Sequence, residues 1–149
     1  MTVFFDTNIL VYAFSSAPRS GKAQAIMSTG GLISVQVVNE FSNVLRKKLK
    51  QDWHLIEAAT EVLRNRFPRV LPLTIETTLS ATRLARDHSL GFYDALIVAS
   101  ALEAECDMLF SEDIQHGRKF GKLTIDNPFM QPPIASALAP YPSAPSPRG

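Results

Sequence analysis

With 149 residues, 46% of them hydrophobic and 19% charged, the chain holds enough apolar material for one packed core, which excludes a disordered or collagen-like polymer. One cysteine, Cys106, excludes a disulfide framework, and His54, His88 and His116 lie too far apart for helical zinc-ligand spacing, so the chain reads as a protein of the reducing cytoplasm. A net charge of +1 argues against a polyanion partner only on average, because the cations are clustered.

Residues 131–149 hold six of the ten prolines and a single charge, Arg148, so they cannot build a core. The folded unit is expected over residues 1–130, followed by a Pro/Ala/Ser-rich, disordered C-terminal tail. No lysine or arginine precedes Arg19, and Asp6 and Asn8 interrupt the first apolar run, which is not a signal-peptide pattern. The longest uncharged stretch, residues 127–147, carries seven prolines and cannot form a membrane helix.

In chain order, the first predicted element is TVFF at residues 2–5, a run of β-formers ended by Asp6 and followed by a buried helix over 8–14. Gly30 and Gly31 break the chain before a second short strand, 32–35. Over 36–49, Val37, Val38, Phe41, Val44, Leu45 and Leu49 recur at helical spacing, leaving Arg46, Lys47 and Lys50 outside. Asp52 caps a third helix, with Trp53, Ile56, Leu63 and Phe67 on one face and Pro68 at its end.

Residues 70–73, weakened by Pro72, form the next strand. Thr74 then caps a helix that carries Leu79, Leu84 and Ala85 to about His88, with Gly91 closing it. The clearest buried helix spans 92–105, with Phe92, Leu96, Ala99 and either Val98 or Leu102 facing inward. MLF at 108–110 repeats the strand pattern, and after a loop rich in glycine and lysine residues 123–125 are a last candidate strand. Short strands without polar alternation, interleaved with helices, predict an α/β fold with a parallel sheet covered on both faces.

Ligands of such folds gather beyond the C-terminal strand ends. Asp6 stands directly after TVFF, and Asp113 follows MLF after Ser111 and Glu112. Each also suits a helix cap or turn. Glu40 has Val37 and Val44 three and four residues away, which sets its carboxylate on the apolar side of its helix, where it needs a partner. Asp94 opens the buried helix at the positive end of its dipole. Four carboxylates converging on one sheet edge would repel one another unless cations neutralise them, and oxygen donors without a histidine or cysteine cluster suit Mg²⁺ or Mn²⁺.

The opening VFFDTNILVYAF, the acid in VVNEF, the segment LGFYDALIVASALEAECDMLFSED and the acid positions 6, 40, 94 and 113 together resemble the PIN-domain ribonucleases, and within them the VapC-like toxins of bacterial toxin–antitoxin pairs. The resemblance spans about residues 3–129. It implies a three-layer α/β/α PIN-like fold with a short, mostly parallel central sheet. It also implies a catalytic, metal-holding set of Asp6, Glu40, Asp94 and Asp113, with Thr7, Asn8 and Ser111 as polar support. The family usually has threonine where Ser111 stands, which keeps the hydroxyl. Glu112 competes with Asp113 for the fourth place.

The activity implied is a Mg²⁺- or Mn²⁺-dependent endoribonuclease hydrolysing phosphodiester bonds in RNA, with a cognate antitoxin as partner and a homodimer as its assembly. Haloacid-dehalogenase-type phosphatases also open with a strand and an aspartate, but they need a second aspartate where Asn8 stands. Receiver domains need an aspartate ending a third strand, and residues 70–78 contain none. Two rivals remain: a non-catalytic PIN-like RNA- or protein-binding module, in which the acids survive only as caps, and an RNA-processing nuclease without a toxin role.

Between residues 41 and 72 seven cations face three acids. Arg46, Lys47, Lys48 and Lys50, at the end of the helix carrying Glu40, are the candidate RNA contacts, with Arg118, Lys119 and Lys122 as a second group.

Overall fold

The structure, a computed structural model, describes residues 1–130, so the expected tail at 131–149 lies outside the described residues. The elements run β1 (Val3–Phe5), α1 (Thr7–Ala13), α2 (Ser20–Ser28), β2 (Ile33–Ser34), α3 (Val35–Lys47), α4 (Trp53–Arg66), β3 (Val70–Leu71), α5 (Ile75–His88), α6 (Phe92–Glu103), β4 (Met108–Phe110), β5 (Lys119–Phe120) and β6 (Leu123–Asp126). The strands β1, β4 and β6 are parallel neighbours in that order, and β5 adds an antiparallel edge to β6.

The parallel pair β2–β3 lies beside β1, joined to it where Phe5 N donates to Leu32 O at 3.0 Å and Leu32 N donates to Val3 O at 2.9 Å. A Cβ on Gly31 would stand 2.5 Å from the Phe5 ring, so only glycine permits this approach. Apolar side chains from the sheet and from helices on both its faces, Phe4, Leu10, Val37, Ile97, Leu109 and Ile125 among them, form the main core. Full burial of each stabilises the fold by about 1.5–3 kcal/mol. A smaller cluster, Ala81, Ala95, Leu96 and Ala99, lets α5 pack closely on α6. Helix α6 is buried without interruption over residues 95–101, as its composition of small and apolar residues predicts. The fold is the three-layer α/β/α arrangement with a mostly parallel central sheet.

Several caps are those read from the sequence. Asp52 Oδ1 accepts from Leu55 N at 2.8 Å, and Thr74 and Thr77 cap α5 reciprocally. Other expectations are corrected. Gly91 does not close α5; Ser89 does, with a left-handed φ of 56°, and Gly91 instead opens α6 in an extended conformation. Val35 begins α3 rather than ending the strand before it. Helix α2 was not anticipated: only Ala23 and Met27 are buried, Ile26 packs partly against the core, and no side chain caps it. Residues 119–120 form a strand where a loop was expected.

Four apolar side chains expected inside are exposed, the first of them Leu49, which lies past the end of α3. Leu79 lies off the Thr77–Ala81–Leu84 stripe that meets α6. Phe92 sits at the open N-terminal end of its helix beside Tyr93. Trp53, 62% exposed at the first turn of α4, is covered by the Arg46 guanidinium at 4.9 Å from its ring centre rather than by the core.

Candidate functional site

The parallel register aligns Phe5 with Phe110, and the Asp6 amide continues the ladder by donating to Phe110 O at 3.0 Å. Asp6 and Ser111 therefore leave adjacent strand ends side by side. The Ser111 hydroxyl donates to Asp6 Oδ2 at 2.7 Å, and Thr7 N donates to Asp6 Oδ1 at 2.7 Å as α1 begins. Asp6 is thus a helix cap and also one of three acids that converge here. The same Ser111 oxygen accepts from the Asp113 and Ile114 amides at 3.2 and 3.3 Å, which folds the loop after β4 back over the strand end.

That loop brings Asp113 to the mouth of the site, where Asn8 Nδ2 donates to Asp113 Oδ2 at 3.1 Å. Asp94 arrives from the first turn of α6. Asp6, Asp94 and Asp113 each offer an oxygen within 4.8 Å of the others. Glu40 stands beside this group on α3, accepting from Gln36 Nε2 at 2.8 Å and from Thr7 Oγ1 at 3.5 Å. Its partner is therefore an amide and a hydroxyl, not a core arginine. Thr7 touches Asp6 and Glu40, Ser111 touches Asp6 and Asp113, and Asn8 touches Asp113.

Glu112 is turned to other work. It accepts from the Tyr12 hydroxyl at 2.6 Å and pairs with Arg19, whose guanidinium also lies over the Tyr12 and Phe129 rings. Of the two neighbouring acids, Asp113 is the one that joins the cluster.

The electrostatics follow from burial and crowding. Burial pushes Asp6 up to about 7 from its ordinary 3.8, and the like charges of Asp113 and Asp94 add to the rise; the Ser111 and Thr7 hydrogen bonds oppose it. Glu40 is raised, first by burial and further by Asp94. Asp94 is raised by burial and then by Asp113. Asp113 is raised by desolvation and by Glu112, while Lys48 pulls it down. None of the four acids has a salt bridge among the described residues. Uncompensated carboxylates supplying only oxygen donors fit a hard divalent cation.

The expected RNA contacts divide. Arg46 is committed to Trp53 and to Gln51 O at 3.1 Å, and Lys50 occupies a left-handed turn with φ of 56°. Lys47 and Lys48 are exposed and unpaired among the described residues, with Lys48 close enough to influence Asp113.

One feature beside the acids escaped the sequence reading. A groove of about 490 Å³ is lined by Gln36, Asn39, Glu40, Asn43 and Tyr93. Its only sequence signal is the recurrence of amides at positions 36, 39 and 43, which reads as an ordinary solvated helix face.

No helix among the described residues is long and apolar enough to cross a membrane. No curated protein sequence matches the chain significantly. Solved structures that share its fold include three toxin or toxin–antitoxin proteins. VapC20 of Mycobacterium tuberculosis, described as a Sarcin-Ricin loop cleaving toxin, is 20% identical with a TM-score of 0.65, over 75% of this chain and 92% of that one. VapBC2 from Rickettsia felis, bound to a DNA fragment from their promoter, is 16% identical with a TM-score of 0.61, over 85% and 98%. A toxin–antitoxin complex from Klebsiella pneumoniae is 19% identical with a TM-score of 0.66, over 86% and 98%. The sequence itself matches the PIN domain over residues 3–120, and the chain belongs to the PIN-domain family.

Proposed function

We propose that this chain is a Mg²⁺- or Mn²⁺-dependent endoribonuclease, the cytoplasmic toxin of a toxin–antitoxin pair, working as a homodimer. The observation that carries the reading is the convergence of Asp6, Asp94 and Asp113 oxygens within 4.8 Å with no salt bridge to any of the three among the described residues. In this reading Asp6, Asp94 and Asp113 hold the cation. When bound, it supplies Lewis-acid stabilisation of charge on the phosphodiester.

The side chains have separable tasks. Ser111 and Thr7 orient both oxygens of Asp6, and Asn8 holds Asp113, so the donor set is arranged before any ligand arrives. In this reading Glu40, held between Gln36 and Thr7, accepts the proton of an attacking water. Lys47 and Lys48 supply positive charge where the RNA backbone would pass.

RNA as substrate is supported by those lysines and by the Sarcin-Ricin loop cleavage ascribed to VapC20; an antitoxin partner is supported by the fold neighbour solved as a toxin–antitoxin complex. The test is cleavage of a structured RNA by the purified protein in Mn²⁺ or Mg²⁺ and in EDTA. Cleavage is expected only with the metal, and Asp94→Asn is expected to remove it. Undiminished turnover by folded Asp94→Asn protein would overturn the assignment.

A further inference from the structure

The groove beside Glu40 differs in chemistry from the acid cluster it adjoins. Apart from Glu40, its lining is neutral: the carboxamides of Gln36, Asn39 and Asn43 on α3 and the phenol ring of Tyr93 on α6. No cation lines it, so it is not built for phosphate, and its helical side carries no apolar side chain, so it is not built for a hydrophobic helix. The Asn39 and Asn43 side chains make no hydrogen bond among the described residues, whereas Gln36 is fixed by its 2.8 Å bond to Glu40. Asparagine is a poor helix former, and these two lie inside α3, where the helix gains nothing from them. Tyr93 is 63% exposed; its ring packs edge-on against Phe92 at 5.6 Å, and its hydroxyl is unbonded among the described residues.

The geometry points to a nucleobase-reading subsite: the Asn39 and Asn43 carboxamides hydrogen-bond the edge of one unpaired base of the RNA, and the Tyr93 ring stacks on its face. This rests on the RNA-cleavage reading above and adds to it the origin of sequence preference. A carboxamide presents a donor beside an acceptor, the pattern that adenine matches bidentately, so adenine is the base expected to be favoured. Aromatic stacking of a splayed base is the usual partner of such edge contacts in single-stranded RNA. Glu40 borders both the groove and the acids, so a base held here belongs to a nucleotide next to the scissile phosphate. Lys47, one turn beyond Asn43 on the same helical face, is placed for the next phosphate along the strand.

The test is binding of labelled RNA hexamers, with A, C, G or U at the central positions, to full-length Asp6→Asn protein in Mg²⁺. Base-dependent affinity is expected. Asn39→Ala combined with Asn43→Ala should collapse the difference between bases. Tyr93→Ala should weaken all of them at least about five-fold, the lower range for one base–aromatic stack, and Tyr93→Phe should restore binding. All three positions tolerate these changes, because the asparagines and Tyr93 are exposed and alanine favours the helix. A base preference that survives the double substitution overturns the inference, as does the absence of any preference or of any binding. It is equally overturned if the substitutions alter only the oligomeric state, which would make the groove an interface between copies of the chain. Wild-type cleavage is measured separately: its absence alongside base-specific binding would defeat the nuclease reading and leave the subsite standing.

Discussion

Asp6 and Ser111, 105 residues apart in sequence, share a 2.7 Å hydrogen bond whose donor also anchors the Asp113 and Ile114 amides. One hydroxyl therefore sets two of the converging acids. Ser111→Ala leaves Asp6 Oδ2 buried without a donor and releases the loop, at a cost of about 1–3 kcal/mol in stability. Calorimetric titration with Mn²⁺ should show weakened affinity in the alanine variant and recovery in Ser111→Thr. Equal affinity in all three proteins would mean that the loop holds Asp113 unaided.

The raised acid pKa values give the metal-free protein an inverted pH response. Asp6 titrates near 7 in the folded chain and near 3.8 when unfolded, so between those values the unfolded state binds fewer protons. Stability from this group is whole below about pH 4 and lost as pH rises through 7, by roughly 4 kcal/mol at most. Glu40, Asp94 and Asp113 are shifted in the same direction. Melting curves in EDTA should fall from pH 4.5 to 7.5, and Asp6→Asn should both flatten that slope and raise the melting temperature at the upper end. A slope unchanged by Asp6→Asn would contradict the burial argument.

Metal should reverse this penalty. At a hundred-fold excess over its dissociation constant, a divalent cation that binds only the folded state adds about 2.7 kcal/mol. At pH 7 binding should also release protons, visible as a binding enthalpy that changes with the ionisation enthalpy of the buffer. Asp94→Asn should lose most of the thermal shift; if it keeps the full shift, the ion sits elsewhere.

Glu112 and Asp113 offer an internal control. Asp113→Asn is expected to weaken Mn²⁺ binding sharply, while Glu112→Gln leaves it nearly unchanged, because Glu112 is occupied with Tyr12 and Arg19. The opposite ranking in the same titration would move the metal site by one residue.

The lysines at the end of α3 are testable by salt dependence. Binding of uncleaved RNA to Asp6→Asn protein should weaken with salt, and each lost phosphate contact should reduce the logarithmic slope by roughly 0.7. Lys47→Ala with Lys48→Ala should lower the slope. Arg46→Ala should instead loosen the packing between α3 and α4, because Arg46 covers Trp53 and bonds Gln51 O. If the lysine pair leaves affinity and slope untouched, the RNA crosses another face.

The acids were legible because strand-ending position and helix face are set by short-range pattern. TVFF and MLF read directly as strands, and residues at their ends must lie together once the strands pair in parallel. The spacing of Val37 and Val44 around Glu40 correctly placed a carboxylate on the inward side of α3. What escaped had no local contrast. Helix α2 buries only two small-stripe residues, Ala23 and Met27, too few to show a period. The close of α5 depends on Ser89 adopting a left-handed conformation usually left to glycine, while Gly91 serves the following helix. The amides of the Glu40 groove carry no charge, and only the arrival of Tyr93 from α6 gives them a shape.

The pairing of β1 with β4 also sets when the site can exist. During synthesis Asp6 is made 105 residues before its neighbour Ser111, and Ser111 and the third converging acid, Asp113, follow almost every other element of the domain. A nascent chain stopped before β4 has no partner strand for β1 and no loop to carry Asp113, so it cannot assemble the triad. Such long-range closure is slow compared with helix formation. The acid cluster is thereby withheld until nearly all of the domain has been made, so its assembly reports completion of the fold rather than the formation of any one element.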